Sequence, residues 1–211
     1  MILGDGAYGD ITEFRSGLQE RGLSYVLDVK AGTSAYPEDV ERERPAYRGR
    51  GRPPIPRYRQ DPSSLKDLAL AAGKKAAVTV TWREGTRGKM RSRFLALRVR
   101  PANIELRHAA HKADEDLPLR WLLCEWPSQA HEPVKYWLSN LPADTPLKTL
   151  VRLAKLRWRI EHDYRELKDG LGLDHFEGRS YTGWHRHVTL AALAQAFCTY
   201  LRNDPKAPAP A

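Results

Sequence analysis

Four strand-like segments in the middle of the chain limit most strongly what it can fold into. Residues 77–84, 91–101, 119–127 and 134–140 are rich in Val, Leu, Trp and Tyr, and Gly or Pro separates them. Apolar and polar residues alternate in these segments, a period of two that is typical of β-strands. Over residues 90–100 the alternation puts arginines on both faces of the strand, so we expect at least one face to be solvent-exposed and basic. The middle of the chain is therefore predicted to be a β-rich module.

The start of the chain predicts a strand, a helix and a second strand. Ile2 and Leu3 form a short apolar run, residues 11–21 repeat apolar side chains at helical spacing, and residues 25–27 form another apolar run. Gly22 stands where the helix is expected to end. Because strand–helix–strand units are typical of α/β proteins, we assign the chain to that class.

Two other segments show no periodicity. Residues 37–62 are rich in Pro, Gly and Arg and fit an exposed basic linker, which either contacts phosphates or only keeps the chain soluble. Residues 204–211 are predicted to be a disordered tail. The predicted organisation is a strand–helix–strand segment over 1–36, the linker over 37–62, the β-rich module over 63–141, a helical segment over 142–203 and the tail over 204–211.

The chain is basic. Its 35 Lys+Arg against 26 Asp+Glu give a net charge of +9, which favours an anionic polymer, most commonly nucleic acid, as partner. A hydrophobic content of 41% is that of a folded globular protein. The sequence shows no signal peptide pattern and no apolar stretch near the ~20 residues that span a bilayer, so no membrane and a cytoplasmic location are predicted.

Motifs for disulfides and zinc are weak. Cys124 and Cys198 lie far apart in apolar surroundings and are predicted to pack in the core. A zinc site at His185 and His187 is conceivable, but a spacing of two on a helix points such side chains in different directions. Surface or DNA-facing histidines are the other interpretation. The histidines nearby in the sequence are His162 and His175.

Two helices are predicted in the last third of the chain. The first covers residues 145–168, with Thr145 as N-cap and Pro146 in the first turn. Its predicted buried stripe is Leu153, Leu156, Ile160 and Leu167. The second covers residues 183–202, and its predicted core residues are Val188, Leu190, Ala191, Leu193, Ala194, Phe197 and Leu201.

A second stripe of the first helix carries charge. Arg157, Glu161 and Lys168 return to within about 40° of one another at roughly 100° per residue. A carboxylate flanked by cations suits metal-dependent phosphodiester chemistry, in which the carboxylate binds the metal and the cations bind phosphate. The alternative is an ordinary i,i+4 ion pair of ~0.3–0.5 kcal/mol beside a solvated lysine.

These residues also carry a resemblance to a known family. The pattern Arg157-x3-Glu161-x6-Lys168 matches the R-E-K part of the Y-R-E-K signature of DDE transposases of the insertion-sequence-four superfamily. Residues 158–197, WRIEHDYRELKDGLGLDHFEGRSYTGWHRHVTLAALAQAF, resemble the bacterial branch of that family, and residues 3–29 resemble its segment around the second catalytic aspartate. The resemblance implies a partial RNase H-like (retroviral-integrase-like) fold that lacks its first strands and carries the β-rich module as an insertion.

The resemblance also implies site residues. Asp5 and Glu161 match the second and third acidic residues of the family, which implies that they are catalytic ligands of Mg²⁺, with Mn²⁺ as a substitute. The signature cations are implied to contact DNA near the reacting phosphate. Trp158 could stack on an unpaired base, although a half-buried tryptophan is the commoner use. The expected DNA contacts are Arg157, Lys168, Trp158 and Arg165.

The sequence departs from the family at two places. The signature tyrosine would fall at Ala154, and Tyr164 is a hypothetical substitute. The first aspartate of the family lies well upstream of the second, whereas this sequence begins four residues before Asp5. Asp10 and Asp28 are poor replacements, because they are predicted to be a helix cap and a strand-end residue. The sequence therefore resembles the C-terminal part of a transposase.

The implied parent reaction is metal-dependent cleavage of DNA strands at insertion-sequence ends, followed by strand transfer to target DNA. With two of three carboxylates, the chain is expected to be inactive alone, and its first strand is expected to have an unpaired edge. Transposon-end and target DNA, a homo-oligomer or a full-length transposase are the expected partners. Alternatives are a noncatalytic DNA-binding remnant that interferes with full-length transposase, and an unrelated, metal-independent hydrolase with Asp5 and Glu161 as its acid/base pair.

Overall fold

The structure, a computed structural model, describes residues 1–47, 49, 51, 54–85 and 88–203. The chain divides into two compact units, Met1–Lys155 and Leu156–Ala211, and each is described by itself. The predicted tail, residues 204–211, lies outside the described residues. The division into two units does not test the boundaries of the five predicted segments, which stay predictions.

The first unit alternates strands and helices. Its strands are β1 (Ile2–Gly4), β2 (Tyr25–Val29), β3 (Ser34–Pro37), β4 (Ser63–Ser64), β5 (Val78–Gly85), β6 (Gly88–Pro101), β7 (Arg120–Glu125) and β8 (Lys135–Ser139). Its helices are α1 (Gly6–Gly9), α2 (Thr12–Glu20), α3 (Leu65–Ala72), a 3₁₀ turn (Lys74–Ala76), α4 (Ile104–Ala113) and α5 (Leu147–Lys155). The mixed α/β class is confirmed, and so are the strand–helix–strand start and the four central strands.

The described strands of the first unit form one open eight-stranded sheet. Their order is β1-β2-β8-β7-β6-β3-β4, and β5 pairs with β6 beside this path. β1 pairs parallel to β2, with Gly4 opposite Leu27, and β2 pairs antiparallel to β8, with Val26 opposite Ser139. The central strands thus belong to the same sheet as the first two strands. Among the described residues, β1 is an edge strand that pairs only with β2, as was expected. This arrangement is compatible with an RNase H-like fold.

Helices cover both faces of the sheet. On one face Leu65 and Ala69 of α3 belong to the same buried cluster as Leu95 of β6, and on the other Leu150 of α5 belongs to the cluster of Phe94. Phe94 and Leu95, which point to opposite faces, are 0% and 2% exposed. The expectation of a wet, basic face is therefore wrong for the middle of β6, because a helix packs on each side.

Backbone carbonyls accept hydrogen bonds from some of the arginines of β6. Arg93 Nη2 donates to the carbonyl oxygens of Lys74 at 2.9 Å and Ala77 at 2.8 Å. Arg100 Nη1 donates to the Leu117 carbonyl at 2.6 Å. These guanidinium groups connect β6 to neighbouring turns, so their charge serves packing within the unit.

Sequence analysis did not predict α4. Asn103 caps it by accepting a hydrogen bond from Leu106 N at 3.1 Å, and Asp114 ends it in the left-handed conformation, with φ of 55°. Asn103 is a residue type that favours helix N-caps, so it could have indicated the start of α4. Because the surrounding segments were all strand-like, the region was predicted to be uniformly β-rich.

Tertiary contacts anchor the described part of the predicted linker. The backbones of Glu43 and Arg57 exchange two hydrogen bonds of 3.0 Å. The ring of Tyr58 stacks on that of Tyr36, with centroids 4.7 Å apart. The residues of this segment outside the described part are Arg48, Arg50, Arg52 and Pro53.

The second unit contains α6 (Trp158–Arg165), a π-helical turn (Glu166–Gly170) and α7 (Tyr181–Asn203). A single helix over residues 145–168 is therefore wrong, because α5 ends at Lys155 and α6 begins at Trp158. Between them, Arg159 N donates to the Leu156 carbonyl and Ile160 N to the Arg157 carbonyl, each at 2.9 Å and three residues apart. A tight turn therefore stands between the two helices.

Two predicted buried stripes are wrong in part. Leu156 and Ile160 are each 46% exposed, and the buried residues of α5 are Leu150, Val151 and Ala154. In α7, Ala191 is buried, whereas most of the larger apolar side chains are exposed. A 23-residue helix in a small unit has few neighbours to cover it. The exposed apolar residues of α7 predicted to be core are Leu190, Leu193, Phe197 and Leu201.

Both cysteines are free. Cys124 lies in the core of the first unit at 0% exposure, which confirms its predicted packing role, and burial raises the pKa of its thiol. Cys198 lies on α7 and is half-buried. No helix of the described residues has the length and apolar character needed to cross a membrane.

The close approach of α1 to β2 gives a first prediction. A Cβ atom added at Gly9 would lie 1.8 Å from the Asp28 carbonyl oxygen and 3.2 Å from Leu27 Cβ. We expect Gly9→Ala to lower the free energy of unfolding by about 1–3 kcal/mol or more, because backbone must move to admit the methyl group. Denaturant unfolding measures the change. The control is Gly32→Ala, where nothing lies within 4 Å; equal midpoints for the two variants would contradict the contact.

A half-buried ion pair at the end of α5 gives a second prediction. Lys155 Nζ lies 2.5 Å from Glu125 Oε2, and the two side chains are 20% and 12% exposed. The ammonium also lies 5.0 Å from the ring centroid of Trp82 and 5.6 Å from that of Trp137. We expect Lys155→Met to destabilise the first unit by about 3 kcal/mol, because it leaves the carboxylate unpaired in apolar surroundings.

Thermal and denaturant unfolding test this second prediction. Combining Lys155→Met with Glu125→Gln should restore part of the loss, since the uncompensated charge is then removed. Arg59→Met is the matched control, because it breaks the Arg59–Glu43 pair, whose side chains are 70% and 53% exposed. That change should cost less than about 1 kcal/mol. An equal loss in Lys155→Met and Arg59→Met would show that burial of the pair contributes nothing.

Candidate functional site

Asp5 lies directly after β1, at the carboxyl end of the parallel strand pair. Its backbone is extended, with φ of −87° and ψ of 179°, and its Oδ1 accepts a hydrogen bond from Ala7 N at 3.1 Å. The side chain thus caps the short helix α1 and is held at the strand end. Ligands of open α/β sheets bind outside the carboxyl ends of the strands, so this edge is a suitable place for a catalytic carboxylate.

Two further carboxylates lie at the same edge. Asp28 follows Leu27, the partner of Gly4, and therefore stands beside Asp5 in the register of the parallel pair. Asp10 accepts a hydrogen bond from Lys30 N at 2.8 Å, and its other oxygen lies 3.2 Å from Lys30 Nζ. Asp10 is the C-cap residue of α1, which confirms its prediction as a helix cap, and its side chain does not cap α2, whose N-cap is Ile11. The carboxylate of Asp10 instead connects the end of α1 to the end of β2.

Arg157 and Glu161 form the predicted i,i+4 pair at the start of α6. Arg157 Nη2 lies 4.0 Å from Glu161 Oε1, and the side chains are 42% and 72% exposed. At this distance and exposure the ion pair contributes less than about 0.5 kcal/mol to the stability of the helix. The glutamate can therefore exchange its arginine partner for another ligand at little cost.

The other predicted DNA contacts lie near this pair along the second unit. Trp158 is half-buried, and its ring meets the imidazole of His162 edge-on at 5.8 Å between centroids. Arg165 is exposed in the last turn of α6. Lys168 is exposed within the π-helical turn, where Leu171 N donates to the Glu166 carbonyl five residues back at 3.1 Å. The wider turn moves Lys168 away from the phase expected for a regular α-helix, and π-turns occur frequently at functional sites.

Sequence analysis missed one polar cluster in the second unit. Single ligand atoms of His162, Asp163 and Glu166 lie within 4.8 Å of one another, a spacing that i, i+1 and i+4 on a helix could have indicated. Arg202 Nη1 already donates to both Glu166 oxygens, at 2.9 and 3.0 Å. This hydrogen bonding holds the pKa of Glu166 below its usual value. A cation at this cluster would have to compete with Arg202.

The donor set can be tested against the divalent metal that the family resemblance implies. Asp5 and Glu161 both supply carboxylate oxygens, the ligands that Mg²⁺ and Mn²⁺ prefer. One Asp5 oxygen accepts a hydrogen bond from Ala7 N, and the Glu161 pair is long and exposed. Each carboxylate, taken by itself, has the donor chemistry of a divalent-cation ligand. Each residue lies in its own unit, Asp5 in the first and Glu161 in the second.

A comparison with known protein families concerns the part of the chain that contains Asp5. Residues 1–89 match the family model described as DDE superfamily endonuclease. This match supports a DDE transposase-type domain. No curated protein matches the chain.

The matched region covers one part of the candidate site. It includes β1, α1 and β2, and so contains Asp5, Asp10 and Asp28. It ends before α6, so the roles of Glu161 and the signature cations depend on the resemblance of residues 158–197. The family match suggests a transposase-like nuclease function, and the matched family acts on DNA with divalent metal ions.

Proposed function

We propose that this chain is part of a DDE transposase of the insertion-sequence-four superfamily, whose parent reaction is DNA strand cleavage at insertion-sequence ends and strand transfer to target DNA. The observation that carries the proposal is the position of Asp5 at the carboxyl end of β1, inside the region that matches the endonuclease family. An RNase H-like core that carries the central strands as an insertion is the fold that goes with it.

Asp5 and Glu161 are the proposed metal ligands. A bound Mg²⁺ or Mn²⁺ would activate the attacking oxygen and stabilise the leaving oxygen during phosphoryl transfer. Asp5 is held at the strand end by its hydrogen bond to Ala7 N, which limits the orientations of its carboxylate. Glu161 is 72% exposed and weakly paired, so its carboxylate can turn toward a ligand.

The proposed DNA contacts are the cationic and aromatic residues of α6 and the π-helical turn. We assign Arg157 and Lys168 to contacts near the reacting phosphate, because a guanidinium and an ammonium bind phosphate oxygens by charge-assisted hydrogen bonds. Arg165, in the last turn of α6, adds a phosphate contact, and Trp158 adds a stacking surface for a base. The expected partners are transposon-end and target DNA and a second copy or a full-length transposase, in the cytoplasm.

We expect the 211-residue chain to be inactive by itself. The family uses three acidic residues, and this sequence matches two of them, Asp5 and Glu161. Asp10 is a poor replacement because both its oxygens are engaged by Lys30. Two carboxylates hold a pair of metal ions less firmly than three, since the ions repel each other.

A cleavage assay tests this function. Purified chain with Mg²⁺ and an element-end duplex oligonucleotide should give no nicked product, and a fragment that supplies the first aspartate should restore nicking. In that mixture Asp5→Asn and Glu161→Gln should each abolish nicking, because each removes a metal ligand. Asp39→Asn is the matched control, since Asp39 is an exposed carboxylate elsewhere in the first unit. Nicking by the chain alone would overturn the expected inactivity, and nicking by both ligand variants would overturn the assigned site.

A noncatalytic role is the second candidate, and the exposed cations of the second unit together with the net charge of +9 favour it. In this role the chain binds element ends and interferes with full-length transposase. Binding then needs Arg157 and Lys168 but not the Glu161 carboxylate.

Salt-dependent DNA binding tests the contacts that the second role requires, and the nicking assay separates the two roles. Glu161→Gln should bind DNA as well as the unchanged chain, whereas Arg157→Ala and Lys168→Ala should each lower the slope of log affinity against log salt by roughly 0.9, the value of one phosphate contact. Fluorescence anisotropy with a duplex oligonucleotide measures this. Arg159→Ala is the control on the same helix, because Arg159 is 56% exposed and pairs with Asp163. An equal loss in Arg159→Ala would mean that the contacts are not specific to the signature residues.

A further inference from the structure

A pocket in the first unit lies between α4 and the segment before β4, away from Asp5 and α6 in the sequence. Its volume is about 270 Å³. The residues that matter for its chemistry are Pro56, Arg57, Tyr58, Arg107, His108 and His111. A concave site with an apolar side and a few convergent polar groups is the usual form of a small-molecule site.

The walls of the pocket are fixed by contacts within the protein. Arg42 Nε lies 2.7 Å from Asp116 Oδ1, and Arg42 Nη1 lies 3.1 Å from Asp114 Oδ1, so the end of α4 is tied to the segment that carries Arg42. Tyr58 OH accepts a hydrogen bond from Leu117 N at 3.0 Å. The pocket is therefore formed before any ligand arrives, which lowers the entropic cost of binding.

The charge of the pocket is largely uncompensated. Within the described residues, the side chains of Arg57, Arg107, His108 and His111 make no hydrogen bond or ion pair, and Glu115 is the single acidic residue of the lining. Arg107 Nε is buried and has no acceptor among the described residues. Because Nε has no exposed surface, a ligand in the pocket would meet the other nitrogens of this guanidinium, which make no hydrogen bond to the described residues.

We propose that this pocket binds a nucleotide phosphate, carried either by a free mononucleotide or by a nucleotide unit of a nucleic acid strand. The arginine guanidiniums donate to phosphate oxygens, for which their planar forks are suited. Pro56 and the ring of Tyr58 contact the flat, less polar part of the ligand. This site is independent of the carboxylates proposed for strand cleavage, and a failure of one leaves the other standing.

Isothermal titration calorimetry on the full chain tests the proposal with adenosine monophosphate, adenosine, inorganic phosphate and citrate as probes. Adenosine monophosphate should bind at one site per chain, and the other three probes should bind at least about tenfold more weakly, because each lacks the ring, the phosphate or both. Equal affinity for citrate or for inorganic phosphate would overturn the nucleotide assignment. The absence of binding by adenosine monophosphate would overturn the site.

Variants locate the binding. Arg107→Met and Arg57→Met keep an unbranched stem and remove the guanidinium donors, and each should weaken the binding of adenosine monophosphate by about tenfold. Arg59→Met is the control, because Arg59 is exposed and absent from the lining of this pocket. If Arg107→Met fails to fold, His108→Gln, at an exposed lining position, gives the second measurement. Unchanged affinity in Arg57→Met and in the Arg107 or His108 variant would overturn the proposal.

A competition experiment distinguishes the two sources of the ligand. A short single-stranded oligonucleotide that displaces adenosine monophosphate, with displacement lost in Arg107→Met, supports a nucleotide unit of a strand. Binding of adenosine monophosphate that the oligonucleotide does not displace supports a free nucleotide. Displacement that persists in the Arg107→Met and Arg57→Met variants would place the nucleotide contacts elsewhere and overturn the proposal.

Discussion

Backbone pairing on both sides of β2 is the constraint on which the first unit depends. This strand pairs parallel with β1 and antiparallel with β8, and it therefore joins the start of the chain to the central strands in one sheet. Its residues Tyr25, Val26, Leu27 and Val29 are at most 3% exposed, so both of its faces are covered. The register of Gly4 with Leu27 places Asp5 at the sheet edge, and the missing side chain of Gly9 lets α1 lie against the Asp28 carbonyl. The position of the candidate carboxylate is thus a consequence of main-chain pairing.

Local patterns predicted the elements of the first unit well. Alternation predicted the strands around Phe94 and Leu123. The break after Lys155 could not be predicted, because no Gly or Pro stands there and the apolar spacing continues through it. Burial was predicted less well than helicity, as Phe197 shows at 62% exposure. Periodicity reports which side of a helix is apolar, but what covers that side is a tertiary property.

The candidate site divides in the same way. The position of Asp5 at a strand end followed from the apolar run before it, and the Arg157–Glu161 pairing followed from i,i+4 spacing. The π-helical turn that carries Lys168 could not be foreseen, since the extra residue per turn has no signature in the local sequence. The pocket beside α4 was also beyond sequence analysis, because it brings together residues as distant as Arg57 and Arg107. Contacts between residues that are close along the chain can be predicted from the sequence. Contacts between residues that only folding brings together cannot.

The two cysteines have a practical consequence for the study of this chain. Cys124 is enclosed in the sheet core and its thiol resists deprotonation, so it is protected from alkylation and oxidation in the native state. Cys198 lies on α7 in the other unit and is partly accessible. A thiol-reactive fluorophore will therefore mark α7 in preference to the core. The natural sequence thus offers a reporter dye position in the second unit, without an engineered cysteine.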